Sequence, residues 1–261
     1  MVREVREVRH PSRSGISARR NISAIFRCTE RGAAGVGSGV ARRGGYAESV
    51  TEPDEQSDAA APGHGVGPWP GGPDAWPDDP RLDPELLAHG DARNVIDAYR
   101  YWRIEEIVAD LDAHRHPFHV AIENWQHDMN IGSIVRSANA FGAAAVHIVG
   151  RRRWNKRGAM VTDRYQHVMH HPDIASFVAW AQAQELPVVA VDNVPGSVPV
   201  GDAVLPERCV LLFGQEGPGL SAEAVAAASG VVEIPQYGST RSINAAAAAA
   251  VVMYEWCRRY A

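Results

Sequence analysis

Cysteine is scarce in these 261 residues: Cys28, Cys209 and Cys257 stand far apart with no CxxC. That pattern excludes a disulfide framework and a cysteine zinc site, and it fits a reduced, cytoplasmic setting. Long apolar runs are missing too. None reaches the ~18 residues that a membrane span needs, so a soluble chain is expected. Nor is there an excess of positive charge, since 26 Lys and Arg face 31 Asp and Glu for a net charge of -5. Bulk attraction to nucleic acid is thereby excluded, and any such site has to be a local basic patch.

The composition changes twice along the chain. Residues 1 to about 50 are rich in arginine, glycine and serine without apolar periodicity, whereas Glu52–Glu85 carries acids and the Pro/Gly-rich GHGVGPWPGGPDAWPDDP. Residues 1–85 therefore read as a disordered tail and linker. Glu4 and Glu7 argue against a transit peptide. A gene start placed too far upstream is the expectation, with the natural chain beginning near Val50-Thr51. The GVGSG at 35–39 lies in this tail and carries no nucleotide reading.

Residues 86–116 form a helical segment, where NVIDAYRYWRIEEIVADLDAH repeats apolar residues at helical spacing and predicts one long helix over 94–114. From 117 to 261 the pattern alternates. FHVAIEN predicts a strand, HDMN a turn, IGSIVRSANAFG a helix and AAVHIVG a strand, which together make a βαβ unit. Helices follow at ASFVAWAQAQ, Ser221–Ser229 and Asn244–Tyr260, and strands at LPVVAVDN, CVLLFG and VVEIP. The fold class is α/β, a parallel sheet covered on both faces, whose ligands bind where the strands end.

Four clusters fall at those ends: Asn124, Asn130 and Arg136; the basic GRRRWNKRG; GQEGPGLS; and QYGSTRSIN. The basic run sets Arg151, Arg152, Arg153, Lys156 and Arg157 around Trp154, combining phosphate neutralisation with an indole that can stack on a base. GQEGPGLS is neither a P-loop nor a GxGxxG fingerprint, and the first βαβ turn reads ENWQHDMNIGS, which sets aside a Rossmann-type oxidoreductase. His167, His170 and His171 lack the companions of a zinc site and read as surface or RNA-facing, so no metal is assigned.

NIGSIVRSANAFG (130–142), LLFGQEGPGLS (211–221) and IPQYGSTRSINAAAAA (234–249), in that order, resemble the SPOUT class of RNA methyltransferases, in its TrmH-like (SpoU) 2'-O-ribose branch. The resemblance covers about residues 115–260. It implies a sheet whose C-terminal part threads a deep trefoil knot, S-adenosyl-L-methionine as cofactor, rRNA or tRNA as substrate, and a homodimer with the last helix in its interface. The lack of a long basic C-terminal extension leans the expectation toward rRNA. Carried over by position, the functional residues are Asn130, Arg136, Glu216, Ser242 and Asn244. Cofactor contacts fall on Phe213, Gly214, Gln215, Ile234, Pro235, Tyr237 and Ile243.

A guanidinium with a pKa above ~12 is a poor general base, so Arg136 is assigned the steadying of a developing alkoxide. The family's common Val-Ser after the last asparagine is Ala245-Ala246 here. The alternative, a noncatalytic RNA-binding knot protein, would be expected to lack Arg136 or the glycine loop, and both are present.

Overall fold

In the computed structural model, which describes residues 65–125 and 130–261, seven parallel strands form one sheet in the order β3-β2-β1-β6-β4-β7-β5. They are β1 Phe118–Asn124, β2 Val146–Gly150, β3 Val168–His171, β4 Val188–Val191, β5 Val198–Pro199, β6 Cys209–Phe213 and β7 Gly230–Glu233. The helices are α1 Pro84–His89, α2 Ile104–Asp112, α3 Asn130–Ala140, α4 Ile174–Ala183, α5 Ala222–Ala227 and α6 Ala245–Tyr260.

The central strands β4 and β6 are apolar without interruption because both sheet faces are covered, whereas β1 and β2 carry His119, Glu123, Asn124 and His147 among apolar neighbours. Val120, Ile122, Ile148, Leu211 and Phe213 point to one face, where α3 and α6 close the core with Ile131, Ile134, Val252 and Trp256. Ala121, Val149, Ala190, Val210 and Leu212 point to the other, under Ile174 and Phe177 of α4 and Ala224 of α5. Trp256 is fully buried, 4.4 Å from the Phe118 ring, and its indole N–H donates to the Pro206 carbonyl. At the start of α6, Ala246 and Ala249 pack into the same core as α3, so the alanine run allows close backbone approach there.

Three expectations change. The long helix over 94–114 is α2 alone, preceded by a single 3-10 turn at Asp97–Tyr99 and by Tyr101 at a φ of 64°. The cause is Asp91, fully buried, which accepts from the Tyr101 N–H at 2.9 Å and from Arg93 through its backbone and guanidinium. Those bonds hold the backbone in a loop.

Residues 65–85, expected as linker, are folded onto this loop. Val66 and Asp91 exchange backbone hydrogen bonds, Trp69 packs edge-on against Tyr101, and the Arg81 guanidinium lies 4.3 Å over Trp102. Pro84 opens α1 behind the capping carboxylate of Asp83. The reading of residues 1–64 and of the turn at 126–129 lies outside the described residues.

The histidine trio is not all on the surface either. His170 and His171 lie in the unpredicted strand β3, and His171 is buried. His119, His147 and His171 stand side by side on adjacent strands as a hydrogen-bonded row, with ring nitrogens 3.0 and 2.9 Å apart. Trp180 of α4 covers all three. Burial pushes the His119 pKa down to about 4 with help from Arg208, and His147 down to about 2 with help from its two neighbours. His167 is exposed and pairs with Asp112.

Candidate functional site

The strands β4, β6 and β7 end together, and the segments that leave them enclose a cavity of about 410 Å³. Its walls are residues 191–194, the glycine loop 213–220 and the stretch 233–248.

The glycine loop folds back on itself, with Gln215 and Gly219 exchanging backbone hydrogen bonds. Gly214 is required for this: a Cβ there would sit 2.3 Å from the Gly219 carbonyl carbon and 2.4 Å from the Leu220 nitrogen. Gly219 has a φ of 72°, and a Cβ there would meet an Asp192 carboxylate oxygen at 2.6 Å. Two carboxylates hold the loop's exit. Asp192 accepts from the Leu220 N–H at 2.8 Å, and Glu123 accepts from the Ser221 N–H at 2.7 Å and from the Trp125 indole. Ser221 caps α5.

Asn130 opens α3, Glu216 sits in the glycine loop and Asn244 caps α6. The fold joins them into one chain: the Asn244 amide donates to Asn130 Oδ1 at 2.8 Å, and the Asn130 amide donates to Glu216 at 2.6 Å. Asn244 Oδ1 meanwhile accepts from the N–H groups of Ala246 and Ala247. Three residues separated by 86 and 114 positions are thus fixed by hydrogen bonds whose direction assigns each amide. Ser242 lines the cavity beside them.

Arg136 is not part of this chain. Six residues into α3 it lies about 9 Å further along and on another side of the helix, where it is exposed. Of the expected cofactor positions, Phe213, Gly214, Gln215, Ile234 and Ile243 line the cavity. Pro235 and Tyr237 do not, and Tyr237 is 96% exposed; Gln236 takes their place on the wall. Glu123 and Asp192 escaped the sequence reading. Glu123 sets a charge directly after the apolar Val120–Ile122 run of β1, which is a signal for a buried carboxylate with a fixed partner.

The basic loop follows β2. Asn124, at the end of β1, donates from its amide to the carbonyls of Arg151 and Arg153. Arg151, Arg152, Arg153, Lys156 and Arg157 are exposed, while Trp154 packs partly into the core. Further on, two glycines touch: a Cβ on Gly132 would meet the Ala159 nitrogen at 2.7 Å, and one on Gly158 the Ser133 nitrogen at 2.7 Å. The basic loop therefore rests backbone to backbone on the first turn of α3.

A model described as the SpoU rRNA Methylase family matches residues 117–254. The tRNA (guanosine(18)-2'-O)-methyltransferase of Escherichia coli (strain K12) is 30% identical over 160 residues, 60% of this chain and 68% of that protein. The protein of the same name from Thermus thermophilus is 28% identical over 161 residues, 59% of this chain and 79% of that one. Among solved structures, the SpoU methyltransferase AviRb from Streptomyces viridochromogenes matches with a TM-score of 0.51 at 28% identity, covering 58% of this chain and 63% of AviRb. Its complex with the cofactor AdoMet matches with a TM-score of 0.50 at 28% identity, over 57% of this chain and 60% of that one.

Proposed function

The chain belongs to the SpoU rRNA methylase family, and on that premise we propose that it transfers a methyl group from S-adenosylmethionine to a ribose 2'-hydroxyl of tRNA or rRNA. The observation that carries this reading is the Asn244–Asn130–Glu216 chain at the lip of the cavity, where the three motifs meet.

The cavity suits the cofactor. The glycine hairpin, which closes because Gly214 has no side chain, forms one wall of the cavity, and Phe213, Ile234 and Ile243 supply apolar walls for a base. Gly214, Ile234 and Ile243 would hold the adenosine portion, with Gln215 beside them. When bound, the cofactor supplies an electrophilic methyl. Everything else falls to the chain's own residues.

Asn130 and Glu216 orient the acceptor ribose, Ser242 and Asn244 hold the 241–246 segment in place, and alignment of this kind can supply several kcal/mol of the barrier. Arg136 steadies the 2'-oxygen from a permanently charged fork while the hydroxyl proton passes to water. Arg151, Arg152, Arg153, Lys156 and Arg157 grip the RNA backbone around Trp154. A trefoil knot formed by the 214–220 and 234–245 segments and a homodimer complete the proposal. Support for the dimer comes from Val251 and Tyr254 on α6, which are 43% and 60% exposed. Among the described residues no helix is long and apolar enough to cross a membrane, and we place the enzyme in the cytoplasm with its RNA.

The test is incubation with methyl-labelled S-adenosylmethionine and separate pools of unmodified tRNA and rRNA. Label enters one pool as 2'-O-methylribose, and Arg136→Ala and Asn130→Ala abolish it. Cofactor binding without label in either pool would overturn the reading.

A further inference from the structure

Beside the basic loop lies a second cavity, of about 280 Å³, that neither the cofactor nor the hydrogen-bonded asparagines use. Ile148, Arg152, Trp154, Lys156, Asp163 and His170 line it. It is smaller than the ~300–1,000 Å³ of drug-sized pockets and matches a single nucleobase.

Asp163 is out of place on a face built to hold phosphates, because a carboxylate there repels them. Yet its side chain is only 13% exposed and turned to the cavity, where Lys156 donates to Oδ2 at 2.8 Å. Among the described residues Lys156 is its only hydrogen-bond partner, which leaves Oδ1 to accept from something else. Trp154 offers an aromatic wall, with the Lys156 ammonium 5.5 Å from the ring centroid. His170 is anchored by a 2.8 Å hydrogen bond from Nε2 to the Gly150 carbonyl.

From this arrangement we infer that the cavity is a guanine subsite, filled by a nucleotide of the substrate RNA other than the one methylated. The inference rests on the RNA reading above. Guanine places N1–H and N2–H₂ side by side on its Watson–Crick edge, two donors for the two oxygens of Asp163. Adenine and cytosine offer one amino group beside an acceptor nitrogen, and uracil a single N–H between carbonyls, so each turns an acceptor toward a carboxylate. The base stacks on Trp154 while its phosphate meets Arg152 or Lys156. Because the loop is seated on α3 through Gly132 and Gly158, the subsite lies at a fixed distance from the acceptor site and selects which RNA is aligned there.

The probe is equilibrium dialysis of the full chain against 5'-GMP, 5'-IMP, 5'-AMP, 5'-CMP and 5'-UMP, with excess S-adenosylhomocysteine to block the cofactor cavity. Tightest binding of 5'-GMP is expected, at least about fivefold over the other three common nucleotides, with 5'-IMP, which lacks only the N2 amine, in between. Asp163→Asn, checked for an unchanged melting temperature, removes the preference, whereas Trp154→Ala weakens all five and keeps their order. Equal binding of all five, no binding of any, or a preference that survives Asp163→Asn would overturn the subsite. Methyl transfer to RNA is measured on the same preparations: transfer without guanine preference leaves the enzyme reading standing and removes the subsite. Guanine preference lost in Asp163→Asn, with no transfer, supports the subsite and removes the enzyme reading.

Discussion

The buried row of histidines sets how this protein responds to acid. An unfolded histidine titrates near pH 6.5, but His119 is held down to about 4 and His147 to about 2 by burial. Both folded values lie below the unfolded one, so between them the unfolded chain binds more protons than the folded one. Stability is complete above pH 6.5 and drains as pH falls. At pH 5 the unfolded ring has gained about 1.5 pH units of protonation, or about 2 kcal/mol per ring at 1.36 kcal/mol per unit, while the folded ring is still neutral.

His147 is fully buried and carries this loss undiminished; His119 is only half-buried, and solvent screening trims its share, giving about 3 kcal/mol for the two. Burial lowers His171 as well, in the same direction. Urea unfolding at pH 7.5 and pH 5 measures the drop. His147→Gln, which retains a donor and an acceptor between His119 and His171, is less stable than wild type at pH 7.5, yet its drop between the two pH values shrinks by about 2 kcal/mol. An identical drop in the variant and the wild type would show that His147 protonates freely in the folded protein, and the reasoning would fail.

Gly214→Ala forces open the glycine hairpin, because the new methyl cannot share space with Gly219; titration calorimetry should show S-adenosylmethionine binding weakened more than tenfold, and unchanged affinity would refute the placement of the cofactor. Asn244→Ala removes both the cap of α6 and the bond to Asn130, costing about 1 kcal/mol of stability along with turnover. Asn244→Asp retains the capping oxygen but not the donor to Asn130, so it should melt like the wild type and still fail to methylate RNA. Trp256→Ala empties the centre of the α3–α6 core at a cost of about 3–5 kcal/mol in urea unfolding, and a loss below 1 kcal/mol would contradict its packing against Phe118.

What could be read from residue order alone follows from where the energy of the fold resides. β4 and β6 are buried on both sides, so they print as continuous apolar runs, and α3 and α6 show their core stripes at helical spacing. The meeting of Asn130, Glu216 and Asn244 was legible only through their match to ordered motifs. No local pattern states that residues 86 and 114 positions apart share hydrogen bonds. The region before α2 misled because a single buried carboxylate, Asp91, organises it: proline and glycine read as linker, and the periodicity of residues 94–103 reads as helix, while the bonds that decide the matter reach across ten residues. His171 misled for the opposite reason. A histidine is polar in sequence, but in a row with two others it satisfies its own hydrogen bonds and can be buried.

Gly132 and Gly158 each fill the space the other's side chain would need. Two chain segments cannot come nearer than backbone on backbone, so this contact works as a ruler set to its shortest division. In the proposed activity one end of the ruler holds the RNA and the other presents a ribose for reaction. The count of nucleotides between grip and modification is then a property of the protein, and an RNA with one nucleotide inserted into that interval is passed over or modified one position out of step.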